Sequence, residues 1–137
     1  MNRLRGIITR IESTDHLSLV DVEVEGDQFT AILVETPESA TWLRTGNGVA
    51  VLFKETEVSL AKNLSGEISL RNRMAARVES IRRGKLLSEV RLDYRGHPVT
   101  SVITTRSVER LQLAHGDTVE GLVKANEVTL LEDRDDA

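Results

Sequence analysis

The chain has 137 residues, a formal net charge of −4, no cysteine, and four aromatic side chains: Phe29, Trp42, Phe53 and Tyr94. Without cysteine there is no disulfide framework and no thiolate metal site. No apolar run approaches membrane-spanning length, and the charged, alternating start MNRLRGIITR has no apolar signal-peptide core, so a cytoplasmic, non-membrane protein is expected.

In chain order, Ile7, Thr9 and Ile11 alternate with Ile8, Arg10 and Glu12, a strand pattern of period two. Residues 17–25 alternate more cleanly, with a change of phase near Val20 that predicts a bulge there. Gly26-Asp27 reads as a hairpin turn, and residues 29–34 as a third strand. Thr36 is placed to cap a short helix over 37–43, with Pro37 at its first position. Gly46 and Gly48 punctuate the exit, and residues 49–54 and 58–61 form two last strands.

The order then repeats. Strands are predicted over 77–81, 88–94 and 99–104, with Arg95-Gly96 as the turn. A helical turn over 107–113 follows, then strands over 118–124 and 128–131. Residues 2–61 overlay 72–131 without a gap, and the identities include Asn2/Asn72, Ser18/Ser88, Val20/Val90, Thr30/Thr100, Lys54/Lys124 and Leu60/Leu130. The chain is two copies of one unit. Three strands, a short helix and two strands is the order of an OB-like barrel, so the expected fold is all-β: two tandem five-stranded barrels, each with one short helix between strands 3 and 4. The expected divisions are 1–61, a short polar linker 62–68, 69–131, and an acidic tail 132–137. Units of this size sit near the lower limit for an adequate core, which predicts packing on each other or on another chain.

Charge separates the copies. Residues 1–61 carry five Lys/Arg against ten Asp/Glu, a balance of −5; residues 69–131 carry eleven against seven, a balance of +4. A basic second copy suits an anion, although drift in surface charge between duplicated units gives the same asymmetry. Catalysis has little support: His16, His97 and His115 fall in different turns, with no activated serine and no HExxH spacing. The paired carboxylates of the first copy (Glu23/Glu25, Glu35/Glu38, Glu55/Glu57) read as solvated charge. Single-strand nucleic-acid binders stack bases on aromatic platforms, and the second copy has only Tyr94, which argues against nucleic acid as a partner.

Ser69-Leu70-Arg71-Asn72 resembles the Ser-Ala-Arg-Asn signature that opens the Mop domain of molybdate-binding proteins. The likeness continues through residues 100–104, the 107–113 segment, Gly116-Asp117-Thr118-Val119 and residues 123–128, in family order and spacing. Gly6 keeps a glycine common in the family where the second copy has Ala76; Leu70 and Asn126 replace the usual Ala and Ser. The resemblance implies a non-enzymatic protein that binds molybdate or tungstate between Mop barrels, in a dimer or trimer, for molybdenum storage, homeostasis or sensing. The alternative it leaves open is an accessory module of a molybdate transporter or transcription regulator.

The implied oxyanion set is Ser69, Arg71, Asn72, Thr104, Ser107, Lys124, Ala125 and Asn126, with Lys54 from the first copy. A tetrahedral dianion needs donors and no competing acids: Arg71 and Lys124 offer charge, Ser69, Thr104 and Ser107 hydroxyls, and the Ala125-Asn126 backbone N–H groups. No metal ligand is expected beyond the oxyanion itself. The first copy departs from this pattern, with Met1 for Arg71, Val34 for Thr104, Pro37 for Ser107 and Glu55 for Ala125, and is expected to be a degenerate site.

Overall fold

A computed structural model describes residues 1–133 of the chain; Arg134–Ala137, most of the expected acidic tail, lie outside the described residues. The first repeat supplies β1 (Asn2–Ser13), β2 (Ser18–Val24), β3 (Asp27–Leu33), β4 (Gly48–Phe53) and β5 (Ser59–Ala61). The second supplies β6 (Asn72–Arg83), β7 (Leu87–Tyr94), β8 (His97–Thr104), α1 (Thr105–Arg110), β9 (Thr118–Val123) and β10 (Thr129–Glu132). All pairings are antiparallel, in two five-stranded sheets, as the alternation predicts.

The fifth strand of each sheet comes from the other repeat. The sheet orders are β10-β4-β1-β2-β3 and β5-β9-β6-β7-β8. Leu130 lies opposite Val51 on β4, and Leu60 opposite Gly121 on β9. The sequence places 58–61 and 128–131 within their own repeats; the chain exchanges them. Each crossing is made by a single 3-10 turn, Glu55–Glu57 or Ala125–Glu127. Just after β5 the chain is pinned to the second unit, because Lys62 Nζ donates to the carbonyls of Leu111 and Gln112 and to Asp117 Oδ2 at 3.0–3.1 Å. One continuous core runs through both units, from Leu4, Val22 and Phe53 to Met74, Leu92 and Leu130. That shared interior supplies the burial that a unit of this size lacks alone.

Two asparagines close the seam between sheets. Asn72, fully buried at the start of β6, accepts from Thr30 N at 2.6 Å and donates to Thr30 O at 2.9 Å. Asn2 makes the same pair with Thr100, at 2.8 Å in both directions. Each side-chain amide thus takes the place of a neighbouring strand for one residue of an edge strand, β3 or β8. Further along, the two hairpin turns meet: Asp27 accepts from Tyr94 Oη at 2.6 Å and from the Arg95 guanidinium at 3.0 and 3.1 Å, and Glu25 pairs with His97 at 2.9 Å. Burial alone would raise the Asp27 carboxyl; the Tyr94 and Arg95 hydrogen bonds and the Arg95 charge more than offset it and hold it below the usual range. Burial and the same carboxylate push the Tyr94 phenol well above its ordinary value.

Three local expectations need correction. The bulge is in β1, where the pairing skips from Ile8↔Val22 to Arg10↔Asp21, and again in β6 between Val78 and Ser80. In β2 itself Ser18, Val20, Val22 and Val24 all face inward without interruption, and the apparent slip came from Leu17 and Leu19, which are apolar but exposed. The first hairpin turns at Glu25-Gly26, both at positive φ (52° and 85°), one residue earlier than predicted. Finally, the short helix exists only in the second repeat. There Thr104 Oγ1 accepts from Ser107 N and Val108 is fully buried beneath α1. The first repeat has Val34, Pro37 and Glu38 at those positions, with no capping hydroxyl, no N–H and no apolar anchor, and residues 34–47 stay as turns.

Candidate functional site

β6 and β9 run side by side until Asn72 faces Val123. The next residues outward are Arg71 and Lys124, both exposed, so the ladder ends in two cations. Neither has a charge partner among the described residues. One residue further in, Arg73 is neutralised by a bidentate pair with Glu120 at 2.6 and 2.8 Å. That hydrogen bond and charge hold Glu120 below the usual carboxylate range.

Lys124 also opens the 3-10 turn that carries β10 across to the other sheet. The turn's own bonds use Glu127 N and Val128 N. Ala125 N and Asn126 N, at its start, have no acceptor within the turn. Thr104 and Ser107 meet at the start of α1, where the Thr104 hydroxyl donates to Ser107 Oγ at 2.8 Å. Ser69 is exposed in the segment leading to Arg71.

Within one chain these residues fall into separate clefts. Arg71 lines one of about 330 Å³ with Gln28, Thr30, Ile68, Leu70 and Arg73. Lys54 and Asn126 share one of about 210 Å³ with Met1, Glu57, Glu127 and Thr129. Ser107 lines a third, about 290 Å³, with Ser59, Leu60 and Arg110. Sequence reasoning placed Asn72 among the ligands; its amide is engaged by Thr30, which makes it the brace that fixes Arg71 against β3. The brace was missed although both Asn and Thr are identical in the two copies, a signal that pointed to the fold.

The equivalent corner of the first repeat differs in one decisive charge. Glu55 occupies the place of Ala125, and its carboxylate takes the amino group of Met1 at 2.6 Å. That hydrogen bond holds Glu55 below its usual range, so the corner beside Lys54 is occupied by a carboxylate–ammonium pair. Among the described residues no group of His, Cys, Asp and Glu is arranged to hold a metal ion, and no helix is long and apolar enough to cross a membrane.

The TOBE domain family model matches residues 1–60 and again 68–130. The chain belongs to the TOBE domain family. As a tandem TOBE chain it is similar to the cytoplasmic molybdate-binding protein ModG, solved with molybdate bound, at a TM-score of 0.88 and 28% identity, covering 94% of each chain. It is 34% identical over 136 residues to the molybdenum-pterin-binding protein MopA of Rhodobacter capsulatus, covering 94% of this chain and 50% of that one. It is 28% identical over 137 residues to the molybdenum transport protein ModE of Herbaspirillum seropedicae, covering 51% of it. The tandem TOBE chain thus spans about half the length of these two relatives.

Proposed function

We propose that this tandem TOBE protein binds molybdate or tungstate reversibly, without bond chemistry, in a homo-oligomer whose neighbouring units complete each site. The observation that carries this reading is that Arg71 and Lys124 each stand one residue beyond the last pair of the β6–β9 ladder, exposed and free of any carboxylate partner among the described residues. Two unneutralised cations, N–H groups at Ala125 and Asn126, and hydroxyls at Ser69, Thr104 and Ser107 suit a tetrahedral dianion. The likeness to a molybdate-bound fold supports the same ligand class. The first copy is the degenerate one: Glu55 and the Met1 amino group engage each other there, and Lys54 is the one side-chain cation of the pair that remains. Storage or buffering in the cytoplasm is the role that fits a chain of this kind.

Titration calorimetry with molybdate, tungstate and sulfate tests the proposal. Arg71→Ala and Lys124→Ala are each expected to weaken binding at least about tenfold, the loss of a charge-assisted hydrogen bond worth ~1.5–3 kcal/mol. Unchanged affinity in both variants would place the site elsewhere. A second reading, an anion-sensing module of a transporter or regulator, is favoured by one observation: the chain matches 51% of ModE and only 32% of the molybdenum import ATP-binding protein ModC of Brucella abortus. Co-purification with a transport ATPase or a DNA-binding partner would support it.

A further inference from the structure

The exchanged strand β5 builds a cleft that neither repeat has alone. Between β5 and α1, the cleft of about 290 Å³ lined by Ser107 has apolar walls, Leu60, Ile103 and Leu111, and two further polar groups, Ser59 and Arg110. Ser107 and Arg110 are three residues apart in α1, a spacing that puts both on one face of a helix. Arg110 is exposed and has no charge partner among the described residues. The one acid beside it in sequence, Glu109, does not line the cleft.

The end of α1 that carries Arg110 is fixed from outside the helix. Lys62, just after β5, donates to the carbonyls of Leu111 and Gln112, and Gln112 is held at a φ of 50°. The clasp therefore sets the backbone directly after Arg110. Lys62 is itself neutralised by Asp117, which leaves Arg110 as the available charge here. The hydroxyls are equally well determined. Thr104 Oγ1 accepts from Ser107 N and gives its single proton to Ser107 Oγ. The Ser107 and Ser59 protons have no acceptor among the described residues. The cleft thus offers a guanidinium and two uncommitted O–H groups. In the first unit Pro37 and Ala40 stand where Ser107 and Arg110 do, and Ala40 is only 7% exposed, so no donor set forms there.

We infer that Arg110 is a third cation for the oxyanion, acting beside Ser107, and that β5 supplies the Ser59 hydroxyl to the same site. The inference rests on the proposed function and deepens it. A planar guanidinium can bond two oxygens of a tetrahedral dianion at once, which an ammonium does less well. The first repeat, degenerate at its own corner, then serves the ligand through the strand it exchanges.

Arg106 supplies the control: it too is exposed on α1 and without a charge partner among the described residues, but it does not line the cleft. In titration calorimetry with molybdate, Arg110→Gln should weaken binding about tenfold or more, the loss of a charge-assisted contact. Arg106→Gln should stay within about twofold, as an exposed charge in high dielectric. Arg110→Lys should recover part of the loss, because it returns the charge without the fork. Ser107→Ala combined with Arg110→Gln should cost less than the two single losses together, since one bound ion serves both groups. Without ligand, Arg110→Gln should melt as the wild type does. Equal losses from Arg110→Gln and Arg106→Gln, or no loss from either, overturn the inference. So does a fall in sedimenting mass for Arg110→Gln with affinity unchanged, which would make Arg110 a contact between chains only. Arg71→Ala separates the two levels. If it weakens binding and Arg110→Gln does not, the proposed function stands and this inference falls; no heat from wild-type protein with molybdate or tungstate removes both.

Discussion

The two repeats share strand order, bulge position and core, yet only one has kept a free pair of cations. At the end of the β6–β9 ladder the second copy presents Arg71, Lys124 and the methyl of Ala125; the first presents Met1, Lys54 and the carboxylate of Glu55. Two of the positions held constant, Asn2/Asn72 and Thr30/Thr100, pair across the seam. Agreement at the asparagine–threonine pairs reports what the fold needs, and disagreement at Met1/Arg71 and Glu55/Ala125 marks where the two corners differ in charge.

The largest expected effect comes from the exchanged strands, which are alike in sequence but not in depth. Leu130 is 4% exposed on β10, whereas Leu60 on the three-residue β5 is only partly buried. Leu130→Asp should cost about 3 kcal/mol or more, a buried charge with no partner, and Leu60→Asp distinctly less. Chemical denaturation of both variants checks this. Equal losses would mean that the two crossings carry equal weight.

The asparagine braces come next. Asn72→Ala leaves the Thr30 N–H and C=O without partners in a buried seam, at a cost of about 1–3 kcal/mol. Asn2→Ala should do the same to Thr100, slightly less because Asn2 is 6% exposed and Asn72 is fully buried. Thermal melts read the difference, and additivity of the double variant would show that the braces act separately.

The smallest effect is on pH dependence. The Asp27 carboxyl is depressed, so its contribution is present above the ordinary carboxylate value of about 4 and fades as acid takes the pH down through its folded value. The Tyr94 phenol is raised, so its contribution is complete below about 10 and fades as pH rises beyond that. A melting temperature flat near neutrality and falling at both extremes is expected. Tyr94→Phe should abolish the alkaline limb and leave most of the acid limb, because Arg95 still faces Asp27. An unaltered alkaline limb in that variant would detach it from the seam.

Strand order and the Arg95-Gly96 turn were legible because alternation of period two survives any tertiary context. The bulge was misplaced because Leu17 and Leu19 are apolar on the outward face, and a pattern of hydrophobicity does not say which side is core. The missing helix was foreseeable at Glu38, since the equivalent Val108 is what anchors α1. The exchange of β5 and β10 was not legible. Residues 59–61 and 129–131 carry nearly the same pattern and fit either sheet, so the choice is made by long-range geometry such as the Lys62 clasp. Of the expected site, Arg71 and Lys124 stand one residue beyond the last pair of the β6–β9 ladder, and the Asn72 amide is engaged by Thr30.

The crossed strands also set a timetable for synthesis. β4 finds its outer neighbour only when β10 has left the ribosome, so the nascent first unit waits with that edge bare until the second unit has been made. Throughout that interval the growing chain depends on haste, or on a chaperone, to keep a foreign strand from taking the vacant place.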